Sequence, residues 1–369
     1  MALRVDVSWT LHSGNDPGSS LEISCVASNK QSPMNRITRL VWLSLILVMS
    51  SLAFAQSVAH PFLWTASGGM EDLGTLPGWQ SGDAEAINNL GQVVGYDYSN
   101  DGDMVSFGWT PVLGTRPLRG TQAGGATGVN AARQVVGDGP LDAFLWTEAG
   151  GIDDLGNLGG GTSYAAAINA AGVVVGASQT ANQVLHAFVW NQGSGMQDLM
   201  NLARKTCPTC DSQALGVNNN GVIVGAVAGD DGGAYPWAFV YKNGNVVNLG
   251  DLGGSGKLRG SVAFGINESG QVVGEAWTPT GTRHPFLWTR TGGMQDLGIL
   301  ANANECYAFG VNDSAQVVGY CLMLDGTVRA FIWGAATGIQ DLGTLPGGTQ
   351  ARAYAINNAG QVVGWSETQ

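Results

Sequence analysis

The stretch Ala353-Tyr354-Ala355-Ile356-Asn357-Asn358-Ala359-Gly360-Gln361-Val362-Val363-Gly364 decides the architecture of this chain, because it is the seventh copy of one phrase. Earlier copies end at Gly95, Gly137, Gly176, Gly225, Gly274 and Gly319. A second phrase interleaves with them, centred on Phe62-Leu63-Trp64, Phe107-Gly108-Trp109, Phe144-Leu145-Trp146, Phe188-Val189-Trp190, Phe239-Val240-Tyr241, Phe286-Leu287-Trp288 and Phe331-Ile332-Trp333. Fixed-period repetition outranks other sequence signals, since each unit must bury its apolar face against the next. It also disciplines the search for a site. A residue present in every copy builds the repeat, so function is sought where the copies differ.

Each unit contains four short strand-like pieces bounded by Gly, Asn or Asp, all too short for ordinary helices. Taken from the innermost outward, the first unit reads Ala84-Glu85-Ala86-Ile87, then Gln92-Val93-Val94-Gly95 after a turn at Asn88. The third piece is of the type Pro61-Phe62-Leu63-Trp64-Thr65 and the fourth of the type Gly69-Met70-Glu71-Asp72-Leu73-Gly74. The aromatic positions recur every 37 to 51 residues, the length of a four-stranded propeller blade. The chain enters at a third strand and leaves after a second. Residues 353–365 and 60–76 therefore combine into one blade, which closes the ring and leaves no edge at the seam. The expected fold is an all-β, seven-bladed β-propeller whose closing blade is shared between the N- and C-terminal segments. An open solenoid would carry polar capping repeats, and none is visible. Small residues such as Ala84/Ala86, Ala166/Ala167, Ala263/Gly265 and Ala353/Ala355 belong nearest the axis, where blades converge. The aromatic strand belongs further out.

Upstream of the repeats the reading is one of export. Asn35, Arg36 and Arg39 precede an apolar run from Leu40 to Leu52, and Ala53-Phe54-Ala55 offers a small-x-small cleavage site before Gln56. Residues 34–55 thus form a signal peptide, the run being too short for a membrane span. Residues 1–33 carry no repeat and are expected to be a disordered upstream extension, with Met34 the natural start. The mature chain is then 56–369, secreted or periplasmic and monomeric. With 28 acidic against 16 basic side chains the net charge is −12, which argues against nucleic-acid binding. Its 57 glycines argue against a helical protein.

Four cysteines follow the cleavage site, and an even number in an exported chain favours disulfides. If Asn312 to Ala315 form a hairpin loop, Val311 faces Gln316, and counting outward sets Cys306 opposite Cys321. Cys207-Pro-Thr-Cys210 reads as a local staple on a loop insertion, the βαβ context of a redox motif being absent.

The phrases resemble the HAF repeat, named for His-Ala-Phe and found in a family of bacterial proteins expected outside the cell. His186-Ala187-Phe188-Val189-Trp190 matches the name, and looser forms stand at His60-Pro61-Phe62, His284-Pro285-Phe286, Arg329-Ala330-Phe331, Asp142-Ala143-Phe144 and Trp237-Ala238-Phe239. The Gly-Met-x-Asp-Leu-Gly companion stands at 69–74 and 293–298, with variants at 151–156 and 338–343. The second unit departs most, lacking Asp-Leu-Gly near Arg116 to Arg119. The resemblance implies fold and export; it brings no catalytic residues.

Candidate chemistry is sparse. Asn88, Asn130, Asn169, Asn218, Asn267, Asn312 and Asn357 occupy one position in every unit, as turn residues that bond their own backbone. Asp72, Asp154, Asp198, Asp296 and Asp341, with Asn248 as substitute, are expected to accept backbone N–H bonds at turns. His60, His186 and His284 sit on different blades and cannot converge on a metal. Asp97, Ser99 and Asp101 imitate the opening of a calcium loop, but the distal carboxylate is missing and a plain turn is the simpler reading. No nucleophile elbow, zinc motif or phosphate loop is present, and no cofactor is expected.

The irregular positions are more informative. Arg204, Lys205, Lys257, Arg259 and Arg352 fall in loops leading into inner strands, which open on one face of the ring. Trp79 shares that loop class, and Trp277 lies in a neighbouring loop on the same face. Cations beside aromatic platforms suit a ligand bound by charge and stacking. The expectation is a binding module for an extracellular or cell-wall polysaccharide or for a protein partner. The alternatives are a polysaccharide lyase or glycosidase using loop carboxylates, or a purely structural surface protein.

Overall fold

The computed structural model describes residues 58–368, except 100, 123, 141, 203–209, 229–235 and 257. The segments read as an upstream extension (1–33) and a signal peptide (34–55) lie outside the described residues, as do Arg204, Lys205, Cys207 and Lys257. Among the described residues no helix is long and apolar enough to cross a membrane.

These residues form seven four-stranded antiparallel sheets arranged as a seven-bladed β-propeller. In the first complete blade the inner strand Ser81–Ile87 pairs with Val93–Tyr98, then Met104–Thr110, then Gly114–Gln122 at the rim. The closing blade takes its inner strands, Ala351–Ile356 and Val362–Thr368, from the C-terminal segment and its outer strands, Val58–Thr65 and Gly69–Asp72, from the N-terminal one. Its join runs antiparallel from Val58↔Thr368 to Trp64↔Val362. The unit lacking Asp-Leu-Gly builds a nine-residue rim strand, where the other blades have four residues, and Leu118 supplies its buried apolar group.

The repeated residues have separable tasks. Phe62, Phe107, Phe144, Phe188, Phe239, Phe286 and Phe331 are buried between neighbouring blades, each contributing roughly 2–3 kcal/mol on burial. The glycine closing each Val-Val-Gly has no room for a side chain: a Cβ on Gly95, Gly137, Gly176, Gly225, Gly274, Gly319 or Gly364 would overlap a carbonyl of the paired inner strand. Every inner strand also carries a β-bulge, whose extra residue is Glu85, Thr127, Ala166, Leu215, Phe264, Phe309 or Tyr354. In three consecutive blades these extra residues meet, with Phe264 and Phe309 stacked at 4.6 Å and Phe309 edge-on to Tyr354 at 5.8 Å.

The repeated asparagines do more than shape their turns. Each Oδ1 accepts backbone N–H groups of its own turn, as Asn88 does from Leu90 and Gln92 at 3.0 Å. Each Nδ2 then donates to the backbone carbonyl of the same asparagine in the next blade. The chain of donation runs Asn88, Asn130, Asn169, Asn218, Asn267, Asn312, Asn357 and back to Asn88, at 2.9–3.2 Å throughout. All seven links point in one sense around the ring.

The histidine that precedes the third-strand phenylalanine in three blades is paired within its own blade. Nδ1 of His60, His186 and His284 donates to Asp72, Asp198 and Asp296 at 2.8–2.9 Å, and Arg329 pairs with Asp341 at 2.9 Å. The same aspartates accept the N–H two residues on, from Gly74, Met200, Gly298 and Gly343. Where Trp237 replaces the histidine, the aspartate is Asn248, which keeps only the turn bond, to Gly250. Where Asp142 takes the basic position, Asp154 remains and accepts the Gly156 N–H, so the turn role of the aspartate persists without the ion pair.

Cys306 and Cys321 are opposite partners and form a buried disulfide with Cα atoms 4.0 Å apart. The expected hairpin register needs correcting. Val311 pairs with Val317 rather than Gln316, because the turn runs from Asn312 to Gln316. The bulge at Phe309 restores the lost residue, so the cysteines still meet. Closing 15 residues of chain, this bond stabilises by roughly 3 kcal/mol. Cys210 is buried and disulfide-bonded.

Candidate functional site

Inner strands begin, second strands end and third strands begin at the same end of the ring, because adjacent strands run antiparallel. Arg352 lies near the start of an inner strand and Arg259 in the loop just before another, Trp277 ends a second strand, and Arg283 starts a third. Arg259, Trp277 and Arg352, named from the sequence, thus fall at one end of the ring, where Arg283 joins them. Trp79 behaves differently: it packs against the cluster of Leu73, Leu76 and Phe107, so its ring serves the core.

At this end, successive seams between blades carry an arginine lying against aromatic rings. The Arg259 guanidinium is 5.9 Å from the Trp237 ring of the preceding blade. Arg283 lies 4.7 Å over Trp277 and 6.0 Å from Tyr307 of the next blade. Arg352 lies 4.6 Å over Tyr320 and 5.5 Å from Trp365. Tyr307 and Tyr320 are opposite partners in one sheet with rings 5.3 Å apart. Trp277, Arg283, Tyr307, Tyr320, Arg352 and Trp365 consequently form one continuous run of planar groups across three blades. The Cys306–Cys321 bond sits one pair further along the same two strands as the tyrosines and fixes their spacing.

Carboxylates accompany Arg283 and Arg352. Glu275 Oε2 is 3.6 Å from Arg283 Nη1, which donates to the Tyr307 hydroxyl at 3.5 Å; that hydroxyl donates to Glu305 at 2.5 Å. Arg352 lies within electrostatic reach of Asp83 and Glu85 of the following blade. The Tyr96 hydroxyl donates to Asp83 Oδ2 at 3.3 Å, and Trp365 Nε1 donates to the Tyr354 hydroxyl at 3.1 Å. Asp83 and Glu85 retain some surface of their own but are walled round by protein.

That enclosure sets their titration. Burial pushes Asp83, Asp138 and Glu275 up to about 7 and Glu85 to about 8, against the partial opposition of Arg352 for Asp83 and Arg283 for Glu275. Asp97 is raised to about 6, chiefly by burial, although it accepts the Leu76 N–H at 2.6 Å. The folded chain therefore holds protons that the unfolded chain, with carboxyls near 4, has released. Stability falls as pH rises from about 4 through about 8. The hydrogen bond that His60 donates to Asp72 raises His60, whose contribution likewise fades as pH rises through its folded value. Below pH 4 the sign reverses at Asp72: its carboxyl is lowered despite burial, by His60, and acid removes that pairing. Thermal melts should thus peak near pH 4 and show several kcal/mol less stability at pH 8.5. A melting temperature that climbs between those two values would refute the assignment.

The acidic turn read as a possible calcium loop is occupied by internal bonds. Asp97 is buried and serves Leu76, while Ser99 bonds Asp103 through both backbone and hydroxyl and accepts the Gly102 N–H. Asp101 lies in that turn. Among the described residues no three His, Cys, Asp or Glu side chains gather as a metal centre.

Sequence reasoning missed Arg283, Glu275, Tyr307, Tyr320, Trp365, Asp83 and Glu85. For Glu275, Tyr320 and Trp365 the signal was in the repeat: the position after the repeat's valine-glycine reads Tyr96, Asp138, Ala177, Ala226, Glu275, Tyr320 and Trp365, so an otherwise regular phrase changes chemical character there.

No family model matches the chain, and no curated protein sequence matches it. Among solved structures it is similar to the putative TolB of Agrobacterium tumefaciens, at 9% identity over 85% of this chain and 100% of that one, TM-score 0.48. It is similar to the β-propeller domain of the Trilobed protease of Pyrococcus furiosus, at 11% identity over 75% and 86%, TM-score 0.46. It is also similar to the six-bladed fungal lectin of Aleuria aurantia, at 10% identity over 79% and 97%, TM-score 0.35.

Proposed function

We propose that this protein is an exported binding module that holds an extracellular or cell-wall polysaccharide at the arginine-bearing end of the ring. The run of stacked guanidinium and aromatic planes from Trp277 to Trp365 carries this reading. Aromatic faces receive the C–H faces of sugars, and planar guanidinium and carboxylate groups grip hydroxyl pairs. Export rests on the signal-like segment 34–55, and the buried disulfide accords with it. Membership of the HAF-repeat family is part of the same proposal, supported by the paired basic and Asp-Leu-Gly phrases.

A second reading has one observation in its favour. Asp83 and Glu85 stand two residues apart on one inner strand, are electrostatically coupled, and titrate near neutrality, as a general acid and base of a glycosidase or lyase would. Affinity electrophoresis of the full chain through gels of neutral and acidic polysaccharides, with and without calcium, combined with a reducing-end assay, separates the two. Retardation without new ends is the expected result. Release of ends would make it an enzyme, and a protein caught at this end in place of any glycan would make it a protein-binding module. No response in either assay would leave a structural role and sink both readings.

A further inference from the structure

The polar groups at this end specify what kind of chain they suit. Arg283 and Arg352 occupy adjacent seams with the same company: each lies between two aromatic rings. Each guanidinium has carboxyls within electrostatic reach, Arg283 that of Glu275 and Arg352 those of both Asp83 and Glu85. Counting Glu305, carboxyls outnumber guanidiniums in the pair of clusters, in a chain of net charge −12. An anionic polymer would approach a site with no surplus of positive charge, and a cationic one would meet two arginines. The unsatisfied valences are of both kinds. Arg283 Nε and Arg352 Nε are buried donors without a partner, while Glu275 Oε2 and Asp83 Oδ1 are buried acceptors without a hydrogen-bond partner. Those four atoms are sealed from solvent, but donor and acceptor stand together in the same clusters, and a hydroxyl is the group that matches both characters. The Arg283 and Glu275 side chains keep 27% and 13% of their surface, so the cluster is open to solvent along one side.

We infer, building on the binding role proposed above, that the ligand is an uncharged polyhydroxylated chain, a neutral oligosaccharide, lying across the two adjacent seams with one sugar unit at each arginine cluster. Recurrence of the same four residue types, Arg, carboxylate, Tyr and Trp, in neighbouring blades matches a ligand whose own units repeat. The shared tyrosine pair Tyr307 and Tyr320 bridges the two positions.

Calorimetry of the full chain against gluco-, manno-, xylo- and chito-oligosaccharides of one to six units, and against oligogalacturonates, tests this. At least one neutral series should bind, with affinity rising tenfold or more between one unit and three. Arg283→Gln and Arg352→Gln should each weaken that binding at least tenfold, whereas Arg329→Gln, on a rim pair with Asp341, should leave it unchanged. Should a glutamine variant fail to fold, quenching or enhancement of tryptophan emission in the unaltered protein gives an independent reading, because Trp277 and Trp365 flank the two positions. Binding of oligogalacturonates alone, with loss in the arginine variants, would overturn the neutral ligand while the module reading stood. Neutral binding indifferent to both arginines, or with no tryptophan response, would overturn the site. Absence of any saccharide binding would remove both.

Discussion

Deletion of residues 351–369 is expected to abolish the folded ring rather than shorten it. Those residues supply both inner strands of the closing blade, so Val58–Thr65 and Gly69–Asp72 would be left as an unsupported hairpin. Two interblade cores would open together. One contains Phe62, Ala351, Ala353 and Val362 against Val318 and Ala330; the other sets Val363 against Leu63, Val93 and Phe107. Two links of the asparagine circle would go as well, Asn312 to Asn357 and Asn357 to Asn88. Far-UV circular dichroism of the deletion should show loss of the cooperative thermal transition. A truncated chain that still melts sharply, as a stack losing one repeat would, contradicts closure.

The next largest effect is expected at Asn312. Its side chain is 2% exposed and makes four hydrogen bonds: Oδ1 accepts from Ser314 and Gln316 N–H, and Nδ2 donates to Gln316 Oε1 and the Asn357 carbonyl. Asn312→Ala strands those partners in a buried turn at a cost of about 4 kcal/mol, or about 10 °C in melting temperature. Asn169 offers an internal comparison. It links to Asn218 and bonds its own turn, but Val173 stands where Gln316 does, so it lacks the amide partner. Asn169→Ala should therefore cost less. Equal and small losses at both sites would show that the circle adds nothing beyond the turns.

Much of this fold was legible because repetition multiplies a weak signal. Strand pieces of four to seven residues say little once, and seven aligned copies fix strand order, blade number and the position of closure. What escaped has a common physical character: it depends on the neighbouring blade. The turn-forming role of Asn88 and its equivalents was readable, since it is local; the donation to the next asparagine was not. The bulge was hidden because its extra residue ranges from Glu85 and Thr127 to Phe309 and Tyr354, with no shared chemistry to betray it. Missing it displaced the pairing of Val311 by one residue, while the cysteine pairing survived. The candidate site was half readable. Arg259, Arg352 and Trp277 were found by looking for cations and tryptophans in loops, and the same rule selected Trp79, which packs inward. The tyrosines and carboxylates on the strands themselves were passed over, because within strands the repeat was read as scaffold.

The pairing of Val58 with Thr368 brings the two ends of the propeller face to face across one antiparallel ladder. The blade they complete joins its neighbour by the same asparagine donation and buries the same phenylalanine as the other blades. In topological terms the protein is a circle that happens to be cut within one blade. A few residues joining Thr368 to Val58, with new ends opened at the exposed Leu324–Gly326 turn, would describe the same molecule, so chain direction is a property of the gene while the ring has no first blade.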